Sequence, residues 1–381
     1  MPLKNKQLNI AMLGHKRVPS REGGVEIVVE ELAARMVKLG HRVTCYNRKG
    51  HHVGGAEFDA DRQEHYRGIR LRTVPTLDKK GLAAMTASVT AAVCSAFGKY
   101  DVVHFHAEGP CAMLWLPKLM GKRCVATVHG LDHQRAKWGG LARAYIMLGE
   151  RCAAKFADEI IVLSEAVQDY FMKTYGRRTR FIPNGIERPR RAAADIIRKE
   201  LGLEQDQYIL YLGRIVPEKG LRYLVEAFQA VKTDKKLVIA GGASDTDGFM
   251  QELKDLARQD ARIVFTGFVQ GRCLEELYSN AYLYTLPSDL EGMPLSLLEA
   301  MSYGNCCLVS DIPECAQVVR DRAVTFRRAD VGDLAAKLQM LCDEPATVQR
   351  LRGGAADYVC EKYNWETVTE KTLSLYERGS L

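Results

Sequence analysis

The feature of this sequence that most constrains its fold is a repeated alternation of short β-branched runs with longer helical stretches. Five such runs in the first half predict buried strands, at residues 8–14, 41–47, 101–107, 123–129 and 158–164. The segment 25–40 is typical of the amphipathic helices that separate them. Strands that alternate with helices predict a parallel sheet covered by helices on both faces, so we expect a doubly wound α/β domain here.

The same pattern then starts again after a break at residues 182–195, which are rich in Pro, Gly and Arg. Five further strands are predicted, at residues 208–214, 236–242, 261–267, 281–287 and 306–311. A chain of 381 residues is also longer than one typical hydrophobic core supports. We therefore predict two domains, 1–187 and 188–362, followed by a terminal segment, 363–381, that contains a helix over 363–379.

The sequence EGMPLSLLE, from Glu291 to Glu299, is the strongest indication of a binding site. It follows a predicted strand and opens a helix, and ligands of parallel α/β sheets bind where strands end and helices begin. The free amide groups around Gly292, Met293 and Leu295 can receive an anion or a hydroxyl group. The two carboxylates suit the hydroxyl-rich ends of a ligand that has a phosphate in its middle. The alternative is an ordinary helix start with surface acids.

A second motif, GRIVPEKG at residues 213–220, comes directly after another predicted strand. Arg214 offers a planar guanidinium fork and Lys219 a point charge, and both suit phosphate oxygens. The alternative is a solvated loop in which Glu218 and Lys219 form an incidental charge pair.

The pair Gly23-Gly24 precedes the first predicted helix and is a weaker third signal. Adjacent glycines let a phosphate approach the backbone amides closely. The full dinucleotide-binding pattern GxGxxG is absent, which argues against a nicotinamide-dependent dehydrogenase.

In this order and context, the motifs resemble those of family 4 glycosyltransferases, which have the GT-B fold of two Rossmann-like domains facing a central cleft. The most specific elements are the E-x7-E pattern of EGMPLSLLE and the segment GRIVPEKGLRYLVEAF. IPNGI at 182–186 and TVHGLD at 127–132 add to the resemblance. The opening HKRVPSREGGVEIVVEELA is similar to bacterial members that build surface polysaccharides.

The resemblance implies roles for individual residues. Glu299 would hold the ribose hydroxyls of the donor, and Glu291 with Gly292 and Met293 would hold the donor sugar. His129 matches the family histidine that faces this sugar. The donor diphosphate would be contacted by five residues: Gly23, Gly24, Arg214, Lys219 and Leu295. The family retains the anomeric configuration and needs no metal ion for catalysis, so we expect neither a metal site nor a cofactor. Its last helix crosses back to the N-terminal domain, as expected here for residues 363–381.

Two further features need interpretation. His104 and His106 alternate at the end of a predicted strand and are candidate acceptor contacts, although satisfied, buried histidines are the alternative. Asp245 and Asp247 form a DxD, the metal motif of a different glycosyltransferase fold, and we assign it no metal role.

The distribution of charge and cysteine predicts the surroundings of the protein. Residues 1–187 contain 29 Lys and Arg against 18 Asp and Glu, a balance of +11, whereas residues 188–381 contain 25 against 29. The basic half suits an anionic partner, such as a lipid diphosphate or an acidic membrane surface, and we predict no nucleic-acid partner. Eleven cysteines without a CxxC pair indicate a reducing compartment. We therefore predict a cytoplasmic protein at the inner face of the membrane.

The sequence thus predicts transfer of a sugar from a nucleoside diphosphate to a hydroxyl group of a lipid-linked or growing cell-surface glycan. Two alternatives stay open. A sugar-nucleotide 2-epimerase or hydrolase shares the fold and donor but needs no acceptor. A catalytically silent partner subunit would keep the fold and lose the phosphate-binding residues, whereas this chain keeps Arg214, Lys219, Glu291 and Glu299. The base, the sugar, the acceptor and the oligomeric state are not encoded in any recognisable motif.

Overall fold

The computed structural model describes residues 7–50, 63–77, 82–135, 139–242 and 247–377. Within it, the chain divides into two compact units. Unit 1 comprises residues 1–185 together with 365–381, and unit 2 comprises residues 186–364. The boundary predicted at 187/188 lies two residues from this division.

Unit 1 is built on an eight-stranded sheet in the order β3-β4-β2-β1-β5-β6-β7-β8. Its strands are β1 Asn9–Leu13, β2 Arg42–Arg48, β3 His65–Tyr66, β4 Ile69–Val74, β5 Val102–His106, β6 Arg123–Val128, β7 Glu159–Val162 and β8 Arg180–Phe181. The connecting helices are α1 Gly24–Lys38, α2 Leu82–Phe97, α3 Trp115–Leu119, α4 Gly140–Phe156 and α5 Glu165–Tyr175. Every strand pair is parallel except β3–β4, which is antiparallel. The central strands are buried on both faces, which explains their nearly continuous apolar sequences.

Unit 2 repeats this plan with six parallel strands in the order β11-β10-β9-β12-β13-β14. They are β9 Tyr208–Leu212, β10 Lys236–Ala240, β11 Ile263–Gly267, β12 Leu283–Leu286, β13 Cys307–Ser310 and β14 Val324–Phe326. The helices are α6 Ile196–Leu201, α7 Leu221–Ala230, α8 Asp247–Ala257, α9 Gly271–Asn280, α10 Leu295–Ser302, α11 Pro313–Val319, α12 Val331–Asp343, α13 Pro345–Arg352 and α14 Ala355–Lys362.

All ten strands predicted from sequence are present, which confirms the fold class of two doubly wound α/β domains. Four strands escaped prediction: β3, β4, β8 and β14. Strand β4 shows the reason, because its sequence IRLRTV places exposed arginines between buried residues and lacks the continuous apolar run of a central strand. The other three have only two or three residues each, which is too short for a periodic signal.

The last helix, α15 Trp365–Ser374, belongs to unit 1 and packs against α1. The Arg35 guanidinium lies 3.3 Å from the Glu366 carboxylate, and Arg123 Nε donates a hydrogen bond of 2.7 Å to the Leu375 carbonyl. Gly185 lies directly against Trp365, since a Cβ atom there would be 2.3 Å from the indole ring. The C-terminal segment is therefore an integral part of the first unit.

None of the helices within the described ranges has the length and apolar character needed to traverse a bilayer.

Helix α4 approaches the loop after β5 so closely that only glycine fits at position 149. A Cβ atom on Gly149 would lie 2.0 Å from the Glu108 carbonyl oxygen, whereas a Cβ atom on Gly140, in the same helix, would meet nothing within 4 Å. We expect Gly149→Ala to force the helix away from this loop and to cost about 1–3 kcal/mol. In thermal unfolding monitored by circular dichroism, this should lower the transition midpoint by about 3–10 °C. Gly140→Ala is the matched control, and equal midpoints for the two variants would contradict this account of the packing.

Candidate functional site

The sheet of unit 2 has a switch point at β9, because the strands that follow β9 in sequence are added first on one side of it and then on the other. The loops after the adjacent strands β9 and β12 therefore leave the same edge of the sheet side by side. In doubly wound folds this is the place where ligands bind. The first loop carries Arg214 and Lys219, and the second carries Glu291.

Two contacts hold these loops together. Gly220 has a positive φ of 66°, and a Cβ atom there would lie 1.9 Å from the Pro287 carbonyl oxygen, so glycine is required both by conformation and by space. The Asp289 amide donates a hydrogen bond of 2.9 Å to the Glu218 carbonyl. The approach of the two loops brings Lys219 to Glu291, a partner on the other loop.

Lys219 forms an ion pair with Glu291, and both side chains are largely buried. The same carboxylate oxygen, Oε1 of Glu291, accepts a hydrogen bond of 2.6 Å from the Ser288 hydroxyl. An ammonium group has three donors, so Lys219 can contact Glu291 and a ligand oxygen simultaneously. The structure thus brings together two residues that the sequence placed in separate motifs.

Arg214 follows β9 directly, and its carbonyl accepts a hydrogen bond of 2.9 Å from the Tyr211 hydroxyl, which fixes the start of the loop. Gly213 and Gly241 pack backbone against backbone, since a Cβ atom on Gly241 would lie 1.8 Å from the Gly213 carbonyl oxygen. Over the part of the chain that is described, the Arg214 guanidinium forms no ion pair. Arg214 is therefore a cation at the switch point of the sheet that no described carboxylate neutralises.

Helix α10 begins at Leu295, with Pro294 at its N-cap position. Glu299 is the fifth residue of this helix and is partly exposed, and its Oε2 accepts a hydrogen bond of 3.0 Å from the buried Tyr278 hydroxyl. Gly292, Met293 and Leu295 are buried around the helix start. The arrangement can bind hydroxyl groups through Glu299, but its predicted contact with ribose stays a prediction.

In unit 1, three histidines lie at the carboxyl ends of neighbouring strands. His104 is fully buried, and its two ring nitrogens bond the Tyr376 hydroxyl at 2.6 Å and the Thr127 hydroxyl at 2.7 Å. Burial lowers the pKa of His104 to about 3, so the ring is neutral. With both nitrogens bonded and no exposed surface, His104 has the contacts of the satisfied, buried histidine that is the alternative interpretation. Its role as an acceptor contact stays a prediction.

His106 and His129 contact each other, with His106 Nδ1 at 3.1 Å from His129 Nε2. Burial lowers the pKa of both rings, to about 4 for His129, and the neighbouring His104 and His129 lower that of His106 further. One ring must then donate to the other, and His106 Nε2 has no hydrogen-bond partner among the described residues. His129 is partly exposed at the end of β6. Its predicted role beside the donor sugar, like the acceptor role of His106, stays a prediction.

Gly23 is the N-cap of α1 and Gly24 its first residue. The first turn of this helix already contains a carboxylate, because Glu26 Oε1 accepts a hydrogen bond of 2.8 Å from the Lys16 amide. Glu26 Oε2 lies 2.8 Å from the position of a Cβ atom on Gly23. Contact of Gly23 and Gly24 with a diphosphate stays a prediction. Asp245 of the DxD lies outside the described residues.

No sequence signal indicated a buried cluster of Glu108, His133 and Glu150. Each residue contributes one carboxylate oxygen or imidazole nitrogen, and these atoms lie within 4.8 Å of one another. Glu150 accepts hydrogen bonds from the Tyr170 hydroxyl at 2.8 Å and the Tyr175 hydroxyl at 2.5 Å, and its other oxygen lies 3.1 Å from His133 Nδ1. Residues 108, 133 and 150 are far apart in sequence and carry no shared spacing signal.

Burial, together with the neighbouring Glu150 and Asp132, raises the pKa of Glu108 far above the usual range. Although burial also opposes charge on Glu150, the hydrogen bonds from Glu108, Tyr175 and Tyr170 lower the pKa of Glu150. Glu108 Oε2 accepts a hydrogen bond of 2.7 Å from the Asp132 amide, whereas no donor in the described part of the chain reaches Oε1. A proton on Glu108 shared with an ionised Glu150 accounts for these contacts and anchors the loop that follows His129.

The two units and their sites define the class of protein: a glycosyltransferase of the GT-B fold. Residues 22–190 match the family described as Glycosyltransferase Family 4, and residues 206–344 match the family described as Glycosyl transferases group 1. The chain belongs to these family 4, group 1 glycosyltransferases.

Individual relatives agree with this assignment. The chain is 27% identical to the alpha-maltose-1-phosphate synthase of Mycolicibacterium smegmatis, over 98% of this chain and 100% of that protein. It is 29% identical to the O-antigen chain mannosyltransferase B of Escherichia coli over 45% of each chain. Among solved structures, HepE of Anabaena in complex with UDP-glucose superposes with a TM-score of 0.81 and 17% identity, covering 97% of this chain and 100% of that one.

The raised pKa of Glu108 predicts a specific dependence of stability on pH. Above about pH 4.5, the unfolded chain loses the Glu108 proton while the folded chain keeps it, so folding binds a proton and this contribution to stability falls as pH rises. Glu108→Gln keeps an N–H donor to Glu150 but removes the titration. We expect the variant to gain stability relative to the parent chain between pH 5 and pH 8, by up to about 1.4 kcal/mol per pH unit.

Thermal midpoints measured across this pH range provide the check. Glu370→Gln, at an exposed glutamate of α15, is the control and should leave the pH profile unchanged. If Glu108→Gln also left the profile unchanged, Glu108 would not be protonated in the folded protein.

Proposed function

We propose that this glycosyltransferase transfers a sugar, with retention of anomeric configuration, from a nucleoside-diphosphate sugar to a hydroxyl group of a lipid-linked or growing cell-surface glycan. The observation that carries the proposal is the pair of loops at the switch point of unit 2. One loop carries Arg214, which forms no ion pair with any described residue, and Lys219, whose ion-pair partner Glu291 lies on the other loop. The complex of HepE with UDP-glucose supports the donor class, and the similarity to an O-antigen chain mannosyltransferase supports the acceptor class.

The chemistry of the proposed reaction explains why cations are needed there. Breaking the bond between the sugar and the diphosphate places negative charge on the leaving group and positive charge on the sugar ring. Arg214 and Lys219, helped by the amides around Leu295, would stabilise the leaving diphosphate. Glu299 would accept hydrogen bonds from the ribose, and Glu291 with Gly292 and Met293 would hold the sugar.

Arg214→Ala should lower kcat/KM for the donor by about 100- to 1000-fold, because a preorganised donor to the developing charge is lost. Arg350→Ala is the matched control, since Arg350 is an exposed arginine on α13 of the same unit. The measurement is release of nucleoside diphosphate in the presence of acceptor. Equal rates for the Arg214 and Arg350 variants would refute the assignment of the diphosphate site.

Glu299→Gln should act differently, since it removes a charged acceptor for ribose hydroxyls that is used before and during the reaction. We expect KM for the donor to rise by about 10-fold or more while kcat changes less. Titration of the nucleoside diphosphate without its sugar should show the same loss. An unchanged affinity for the nucleotide would place the ribose elsewhere.

We also propose that the reaction needs neither a cofactor nor a metal ion, because side-chain cations and backbone amides take the role of a divalent ion. Dialysis against EDTA should leave the transfer rate within about twofold, and added Mg²⁺ or Mn²⁺ should not raise it further. Loss of activity in EDTA that is restored by one of these ions would overturn this part of the proposal.

The two alternative functions make different predictions for the same protein. Incubation with donor and no acceptor should give neither fast epimerisation nor stoichiometric hydrolysis; either result would favour the epimerase or hydrolase. A silent partner subunit would fail to bind any donor. Binding measurements with UDP-, GDP- and dTDP-sugars test this and identify the base.

A further inference from the structure

Unit 1 contains a cavity of about 510 Å³ at the carboxyl edge of its sheet. The direction in which successive strands are added reverses at β1, which lies between β2 and β5. The cavity is lined by residues that lie in or follow β1, β2, β5 and β6, and by residues of α2 and α4. It therefore occupies the switch point of this sheet, the position at which doubly wound folds bind ligands, and its volume is that of a small-molecule site.

The wall formed by α2 and α4 is apolar. It includes Met85, Ala87 and Ile146, and it is bordered by Leu82 and Leu141. These two leucines expose 38% and 92% of their surfaces. Apolar side chains exposed beside an apolar cavity form a surface that a hydrophobic ligand could cover.

The opposite wall is basic. Arg48, the last residue of β2, lines the cavity and forms no ion pair with any described residue. Lys16 also lines it and lies 3.6 Å from the Glu22 carboxylate. The acidic residue in the lining, Asp132, is neutralised by Arg135 at 2.7 Å. The cavity therefore pairs an apolar wall with a guanidinium group that no described carboxylate neutralises, which suits an anionic amphiphile.

Two buried polar atoms of lining residues also lack partners. The Tyr145 hydroxyl has no hydrogen-bond partner among the described residues. His15 is 4% exposed and its Nδ1 is likewise unpartnered in the part of the chain that is described.

The protonation of His15 follows from its neighbour Asn47. The amide orientation of Asn47 is fixed because its Nδ2 donates to the Val18 carbonyl at 2.9 Å and its Oδ1 accepts from the Val18 amide at 3.0 Å. His15 Nε2, 3.1 Å from Oδ1, must then be the donor. Burial lowers the pKa of His15 to about 4, so Nδ1 carries a lone pair that can accept a hydrogen bond from a ligand hydroxyl.

We infer that this cavity binds the acceptor, and that the acceptor is a phosphate ester of an apolar alcohol that bears hydroxyl groups near the phosphate. The apolar chain lies along α2 and α4, Arg48 and the Tyr145 hydroxyl contact the phosphate, and His15 accepts from a hydroxyl. That this ligand is the acceptor of the reaction rests on the proposed function, whereas its chemical class rests on the residues that line the cavity.

The test measures binding to the full chain by calorimetry, without any donor. Geranyl phosphate and octyl phosphate are the probes, and geraniol and inorganic phosphate are the two partial ligands. We expect both esters to bind at least 10-fold more tightly than either partial ligand. A preference between the two esters distinguishes isoprenoid from straight-chain acceptors. If neither ester bound, or if inorganic phosphate bound as tightly as the esters, the inference would be overturned.

Variants locate the binding in the cavity. Ala142 lines the cavity and Ala144, two residues further along α4, does not. We expect Ala142→Trp to weaken binding of the esters at least 10-fold and Ala144→Trp to leave it unchanged. Equal binding by the two variants would place the ligand elsewhere.

The contribution of charge is tested with a second matched pair on β2. Arg48→Ala should weaken binding of geranyl phosphate about 10-fold with little effect on geraniol, and Arg48→Lys should restore part of it. Arg42, exposed at the start of the same strand and outside the cavity lining, provides the control Arg42→Ala. Equal binding of geranyl phosphate by the Arg48 and Arg42 variants would contradict the inference that the ligand carries a phosphate.

Nucleotide binding separates this inference from the proposed function. If the esters bind as expected but no nucleoside-diphosphate sugar binds, the proposed function fails and the cavity remains a binding site for this ligand class. If nucleotides bind and transfer occurs to some other acceptor while the esters do not bind, the inference alone fails.

Discussion

The site of unit 2 depends on the close approach of two loops at Gly220. The Pro287 carbonyl occupies the space that any side chain at position 220 would need, and the backbone there has a positive φ. This contact places Lys219 against Glu291, whereas Arg214, on the same loop as Lys219, forms no ion pair with any described residue. In the proposed function, Lys219 would hold the carboxylate in place while it contacts the ligand, and Arg214 would supply the net positive charge that an anionic ligand requires.

The sequence was sufficient to predict the fold class, because central strands of a parallel sheet are buried on both faces and so have continuous apolar sequences. Strand β4 lacks such a run, and β3, β8 and β14 are too short to show one. The positions of the motifs in the fold could also be predicted: Arg214, Lys219 and Glu291 follow strands, and in the structure they lie on neighbouring loops. The ion pair between Lys219 and Glu291 was not predictable, since it depends on strand order, and the adjacent Glu218 was the nearer candidate in sequence.

In unit 1 as well, contacts between residues that are distant in sequence could not be predicted. His104 was placed among acceptor contacts because it alternates with His106 on a strand end, yet its partner Tyr376 comes from the C-terminal segment, 272 residues away. The sequence gives no sign of the contact between His104 and Tyr376, and that contact decides whether the imidazole ring is available to a ligand. Glu108, whose pKa is raised by burial and by neighbouring carboxylates, belongs to the same category, since its environment is assembled from Glu150, Asp132 and the close packing at Gly149. Long-range packing determines which titratable groups are structural.

The excess positive charge in the first half of the sequence can now be assigned to individual residues, because the structure shows which of them form ion pairs. Several basic residues of unit 1 are neutralised in internal pairs, such as Arg35 with Glu31 and Lys118 with Asp158, and these cannot attract a ligand. Arg48 forms no such pair in the described structure, and it adjoins a cavity whose other wall is apolar. Net charge alone could not separate a solvated basic surface from a binding site. Three features at one switch point favour the binding site that we infer: a guanidinium with no ion pair among the described residues, buried polar atoms with no described partner, and exposed leucines. A solvated basic surface requires neither the unpartnered polar atoms nor the leucines.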